Sequence, residues 1–429
     1  MRIYKFNELS NAEYKKLINR PSINFEKIFE AVKPILNDIK QNGIKAAANY
    51  AKKFDGFGGD EFRVTSKEFE DAEKNLDKKI KDALKNAARN IEKFHSNQKP
   101  GSYEIETLPG VKCSREFRAI ENVGLYIPGG SAILPSTMLM LGIPAKLAGC
   151  KRVVAASPVK GSKVNDPLLY AAKLCGINEF FKIGGAQGIG LLAYGDDTIL
   201  KVNKIFGPGN QYVTAAKMLV SIDAEGCTID MIAGPSEVLI IADENANSSF
   251  VAADLLSQAE HGADSQVILI SDSENKINEI NTELDIQLKN LPRKDLAKKS
   301  LGNSFSLLVN NLDEAVEFSN SYAPEHLILN IKNAEQIKNQ VQNAGSVFTG
   351  NYSPESAGDY ASGTNHSLPT SGFAKSFGGV TVESFMKSIT FQNLSKEGLL
   401  NISNTIETLA ETEGLSAHRN AVTIRLKNK

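Results

Sequence analysis

The chain has 429 residues, 41% of them hydrophobic and 23% charged, with a formal net charge of −1. That length exceeds what one hydrophobic core covers, so two core domains with appendages are expected, and a charged fraction near the globular average argues against long disorder. The balanced charge supplies no field to draw nucleic acid or anionic lipid, and the longest apolar runs, 138–141 and 238–242, fall far short of a membrane span.

The opening segment lacks the apolar stretch of a secretory signal, so a cytoplasmic location is expected. Apolar residues at three- and four-residue spacing, with Lys and Glu between them, predict helices over 25–54 and 66–94, the second starting near Ser66 with Glu68 and Glu70 in its first turn. Leu108-Pro-Gly110 separates two strand-like runs and predicts a hairpin. Cys113, Cys150, Cys175 and Cys227 are scattered without a CxxC pair, which fits a reducing compartment and small packing residues.

From Asn122 the texture changes to alternation. Strands are expected at 152–156, 179–183, 204–206, 238–242, 266–270, 306–309 and 326–329, with helices at 135–147, 167–175, 211–221, 247–259 and 313–321. Such alternation predicts parallel sheet with helices on both faces, and the series is long enough for two sheets. The stretch 349–380 is rich in serine and glycine with little apolar periodicity, as expected of a functional loop. A strand-like run at 383–391, a helix at 394–413 and a last segment at 415–426 form a tail too short for a core of its own.

Four of the five histidines sit beside residues suited to metal or proton chemistry; His95, ending the second long helix, reads as a surface or packing residue. In Gln258-Ala-Glu-His261 the two ends are three apart and share a helix face, fit for one divalent metal or for a polar helix end before Gly262. Asp359 follows Gly358 in the polar loop 354–366, either as a ligand approached closely by backbone or as an Asx turn. Glu325-His326 precedes the apolar run 327–329 and supplies two bases of different strength, expected to point apart at a strand mouth, or is a surface dipeptide. Gly414 between Glu413 and His418 marks a helix C-terminus, a solvated end unless something else draws those two side chains in. Glycine turns at 127–131, 184–190 and 206–210 can aim backbone N–H groups at a pyrophosphate, though none is a GxGxxG fingerprint.

The runs 123–131, 204–210, 232–238, 254–262, 324–327 and 353–366, in this order, resemble the histidinol dehydrogenase family over essentially the whole chain. The resemblance implies an α/β fold of two Rossmann-like, incomplete doubly wound parallel-sheet domains with a helical N-terminal segment and a small C-terminal tail. It implies a helical extension at 1–24, a core domain from 25–125 and 237–379 with the metal and acid–base residues, an inserted NAD-binding domain at 126–236, and a tail at 380–429 reaching a partner's active site. The implied reaction is zinc-dependent, four-electron oxidation of L-histidinol through L-histidinaldehyde to L-histidine with two NAD⁺, in histidine biosynthesis, by a homodimer with shared active sites.

The residues follow from the same resemblance. Zinc falls to Gln258, His261, Asp359 and His418, one ion per subunit; NAD to Tyr126, Gln187 and Asn210. Substrate falls to Ser236, Gln258, His261, His326, Asp359, Glu413 and His418, with Glu325 and His326 as the acid–base pair and His366 nearby. One departure stands out: Gly188-Ile-Gly190 occupies a stretch where relatives tend to carry alanines, which implies a looser turn and weaker cofactor binding. Rival readings are a dehydrogenase of another amino alcohol, a zinc hydrolase, and a zinc-stapled assembly protein.

Overall fold

The alternation from residue 122 onward closes into two parallel sheets in a computed structural model, which describes residues 1–20, 25–129 and 134–427. The smaller sheet runs Glu179–Phe181, Arg152–Ala156, Asn122–Tyr126, Lys204–Phe206, Thr228–Ile229. The larger runs Arg2–Lys5, Phe305–Leu308, Gln266–Ser271, Glu237–Ala242, His326–Asn330, Ser346–Thr349. Neighbouring strands are parallel throughout, so each connection must cross a face, and helices cover both. Strand pleating divides the larger sheet's core accordingly: Val238, Ile240 and Ala242 pack on one side, Leu239 and Ile241 on the other.

The N-terminal helices dock on the smaller sheet. Phe25–Tyr50 buries Ile28, Val32, Leu36 and Ile39 against Ile189 and Leu192 on one face. Ser66–Asn75 and Lys78–His95 bury Ala72, Leu84 and Ile91 against Met138 and Leu169 on the other. The single helix expected over 66–94 is thus two, because Asp77 caps a new start and Thr65 with Glu68 forms the capping box of the first. This packing differs from the expected grouping of 25–125 with 237–379; an apolar stripe read from sequence does not say which sheet it will cover. The first residues do not form a purely helical extension either. Arg2–Lys5, not expected from the sequence, pairs with Phe305–Leu308, and Leu17 of the helix Asn11–Ile18 enters that sheet's core.

The hairpin forms as expected, Tyr103–Leu108 against Val111–Ala119, with Gly110 at φ 78° in the turn. Met386–Leu394 adds a third antiparallel strand and leads into the helices Lys396–Thr412 and Ser416–Lys427. This outer unit leaves Tyr103, Ile105, Ile389, Phe391, Leu400 and Leu409 exposed. Glu274–Leu288 and Lys294–Gly302 are further helices that the sequence analysis left unassigned. No described helix is long and apolar enough to cross a membrane.

Candidate active site

Where the carboxyl edge of the smaller sheet meets the amino edge of the larger one lies a cavity of about 350 Å³. Its walls include Asn210, Ser236, His261, Glu325, His326 and Asp359. Glu325 follows the turn at Ala323, a non-glycine residue at φ 54°, and His326 opens the strand His326–Asn330. Their side chains do not diverge as expected: both meet the main chain of Glu237. The Glu237 N–H donates to Glu325 Oε2 at 2.9 Å, and His326 Nδ1 lies 3.1 Å from the Glu237 carbonyl. Glu325 precedes the strand, so strand alternation does not govern it, and its Oε2 comes within 3.6 Å of His326 Nδ1.

A carbonyl only accepts, so His326 Nδ1 carries the proton and Nε2 keeps its lone pair. That Nε2 is buried without a partner, 3.8 Å from Asp359 Oδ1. Burial pushes the imidazole down to about 3, leaving it neutral at pH 7. Burial pushes Glu325 well above the carboxylate range, and the charges of Glu237 and Asp359 add to it. The site therefore holds a neutral imidazole with a free lone pair beside a carboxyl that is unusually basic.

Facing that lone pair is a polar cluster. Ligand atoms of His261, Glu355 and Asp359 lie within 4.8 Å of one another, His261 at the exposed rim and Glu355 buried. Gln258 is buried beneath them on the helix Ser248–Ala259; with its amide nitrogen donating to Glu355 Oε1, its oxygen accepts from the Glu237 N–H at 2.8 Å. Burial pushes Asp359 up to about 7 and Glu355 well above the usual range, the latter further raised by Asp359, Glu325 and Asp254. Crowded, desolvated carboxyls are relieved by protons or by a cation, and the mixed N and O donors suit a divalent metal such as zinc. Glu355 escaped the sequence analysis. The signal was present: Glu355 and Asp359 are four apart on the helix Glu355–Tyr360 and share a face. His366 closes the far wall, its Nδ1 3.0 Å from the Asp359 carbonyl and its Nε2 3.0 Å from Thr137 Oγ1, pushed down by burial to about 4.

A second cavity of about 400 Å³ is lined by Asp55, Tyr126, Pro158, Lys160, Gly185 and Asn210. Asn210 borders both cavities and caps the helix Gln211–Ile222, accepting from the Tyr212 and Val213 N–H groups. Gly207, at φ 119°, carries the loop into it; Asp230 accepts from its N–H at 2.8 Å and Lys217 donates to its carbonyl at 2.8 Å. Gln187 is buried and donates to Asp55 Oδ2 at 2.9 Å, while Tyr126 Oη accepts from the Gly185 N–H at 3.1 Å. Asp55 is a second residue the sequence analysis missed; it lies at the end of a helical stretch with no motif around it. The glycine turn at 127–131 lies partly outside the described residues. Gly188 and Gly190 are in the helix Gly185–Tyr194 rather than in the turn before it.

Glu413 and His418 stand apart. Both are exposed on the tail, and neither lines the cavity that holds His261 and Asp359. One chain thus brings together Gln258, His261, Asp359, Ser236, Glu325 and His326, and leaves the two tail residues outside.

A histidinol dehydrogenase family model matches residues 18–426. Histidinol dehydrogenase of Yersinia pestis is 49% identical over 425 residues, covering 99% of this chain and 95% of that protein. The chloroplastic histidinol dehydrogenase of Arabidopsis thaliana is 49% identical over 430 residues, covering 100% and 92%. The crystal structure of histidinol dehydrogenase from Elizabethkingia anophelis is 50% identical, with a TM-score of 0.95, covering 100% of this chain and 98% of that one. Matching over nearly its full length in sequence and in fold, the chain belongs to the histidinol dehydrogenase family, NAD-dependent oxidoreductases of histidine biosynthesis.

Proposed function

We propose that this chain oxidises L-histidinol through L-histidinaldehyde to L-histidine with two NAD⁺ and one zinc ion per subunit. The observation that carries the reading is the neutral His326, whose unpartnered Nε2 faces the cluster of Asp359, Glu355 and His261 across the cavity. His326 Nε2 takes the hydroxyl proton as the alcohol is oxidised. Glu325, made more basic by burial, takes a proton from the water that adds to the aldehyde. Both bases shuttle protons without leaving the hydrogen bonds to Glu237 that orient them.

Gln258, His261 and Asp359 supply zinc donors from one chain, with His418 coming from the tail of a second copy; when bound, the ion holds the substrate's imidazole and amine and polarises its oxygen. Ser236, Glu413 and the metal donors complete the substrate pocket. Tyr126, Gln187 and Asn210 hold NAD, which accepts the hydride. Residues 126–236 act as the cofactor domain, and the homodimer forms through the tail in the cytoplasm.

The test is incubation of the purified protein with L-histidinol and NAD⁺, before and after chelation and with zinc restored. Two NADH per histidine, lost on chelation and regained with zinc, is the expected result. One NADH with free aldehyde would refute the four-electron reaction, and no NADH at all would favour a hydrolase.

A further inference from the structure

Arg20 ties together the two pieces of chain that meet beneath the acid–base pair. Its Nε and Nη2 each donate to the Glu237 carboxylate at 2.8 Å, a two-pronged ion pair, with Arg20 largely and Glu237 almost wholly buried. It also donates to the Tyr322 carbonyl at 2.6 Å, the Ala323 carbonyl at 3.1 Å and, more weakly, the Ile18 carbonyl at 3.4 Å, and its guanidinium lies 3.6 Å from the Tyr322 ring centroid. Glu237 Oε1 also accepts from the Ser371 N–H at 2.9 Å.

The Arg20 contacts fall on Glu237 and on the chain segment that leads into the proposed bases. The main chain of Glu237 holds Glu325 by its N–H and His326 by its carbonyl. Tyr322 and Ala323 form the turn that leads into Pro324 and Glu325, and Ala323 sits at φ 54°, a conformation that a residue with a side chain keeps only when its surroundings impose it. One rigid planar group therefore fixes both the strand mouth at Glu237 and the turn before Glu325. A lysine offers a point charge on a flexible stem and cannot span both.

We propose that the Arg20–Glu237 ion pair is a positioning device for Glu325 and His326, acting through the Glu237 main chain and the Ala323 turn. The proposal rests on the reading of Glu325 and His326 as the bases of the reaction. Its alternative is a buried ion pair that serves stability alone.

A double-mutant cycle separates them. Arg20→Lys, Glu325→Gln and their combination are compared for oxidation of supplied L-histidinaldehyde, alongside their melting curves. Arg20→Lys is expected to lower kcat by roughly 10- to 100-fold, the scale of loss from a misplaced reacting group, while KM for aldehyde and NAD⁺ stays within about twofold. In the Glu325→Gln background the further loss should be several-fold smaller, since one of the two positioned groups is gone. An unchanged kcat, or losses that multiply in full, overturns the proposal while leaving the reading of Glu325 intact. Wild-type kcat in Glu325→Gln alone would instead sink that reading, and the proposal with it. If Arg20→Lys does not fold, Glu237→Gln, which keeps the shape and the main chain, runs the same cycle; failure of both to fold assigns the pair to stability and overturns the proposal.

Discussion

Glu325 and His326 are neighbours in sequence, yet burial shifts them in opposite senses, the carboxyl towards stronger base and the imidazole towards neutrality. That split predicts a division of labour. Glu325→Gln should slow oxidation of L-histidinaldehyde by roughly 100-fold or more, the scale of a lost general base, and oxidation of L-histidinol to the aldehyde by far less. His326→Asn should impair both. Stopped-flow NADH formation from each substrate measures this, and equal losses for Glu325→Gln in both half-reactions would reject it. His95 shows how a histidine elsewhere serves packing. It is buried, with Nδ1 3.0 Å from the Ile91 carbonyl and Nε2 3.3 Å from Asn365 Nδ2, next to His366 in the chain. Burial lowers its pKa, so below about 6.5 the unfolded chain binds a proton that the native state refuses, and this contribution to stability is lost as pH falls. His95→Gln lacks that proton uptake. The gap in unfolding free energy between wild type and variant should therefore narrow from pH 7 to pH 5 in urea titrations; a gap that widens would contradict the assignment.

At the scale of elements, the helix Gly185–Tyr194 sets the surroundings of Gly188 and Gly190. A Cβ at Gly188 would sit 2.8 Å from the Ile183 carbonyl oxygen, which is backbone and cannot yield. At Gly190 the nearest atoms are side-chain carbons of Leu36 at 3.0 Å and Ile39 at 3.3 Å, on the helix Phe25–Tyr50. Gly190 lets the two helices approach closely, while Gly188 makes room for the Ile183 carbonyl ahead of its own helix. Gly188→Ala is expected to destabilise by about 1–3 kcal/mol through overpacking. Gly190→Ala should stay within about 1 kcal/mol, because movable side chains can yield and alanine gains helix propensity of about 1 kcal/mol over glycine. Chemical unfolding of the two variants decides it, and a reversed order would show that the backbone contact gives way more easily than the side chains.

For the whole molecule, the tail is the element that contributes no residue to the cavity within one chain. The tail exposes Ile389, Phe391, Leu400, Leu409, Leu415 and Ile424, and its polar residues Glu413 and His418 do not line the cavity. Apolar faces of that kind, on a unit too small for its own core, belong against another surface. In a two-fold dimer each tail can complete the site of the other copy. His261→Ala and His418→Ala, each inactive alone, should regain activity when unfolded together and refolded, because a mixed dimer carries one intact site and one doubly damaged site. A mixture that stays inactive, with the mixed dimer confirmed by native mass spectrometry, rules out sharing.

Period and punctuation in the sequence determined the local elements and the class of fold. The strands Arg152–Ala156 and Lys204–Phe206 stand where their apolar runs end, and the hairpin turns at Gly110. The motifs also marked Gln258, His261, Glu325, His326 and Asp359, because side-chain type and helical spacing are local properties. Partnership was not local. Arg2–Lys5 is too short to carry a pattern, and the strand that makes it one lies at Phe305–Leu308. The stripes of the helix Phe25–Tyr50 declare an apolar face, whereas the sheet beneath it is a matter of tertiary packing. The chemistry of the site was decided at the same level. His326 is neutral and Glu325 basic because the surrounding chain excludes water from them, with the charges of Glu237 and Asp359 adding to the shift of Glu325, and desolvation is a property of the folded chain, not of any run of residues.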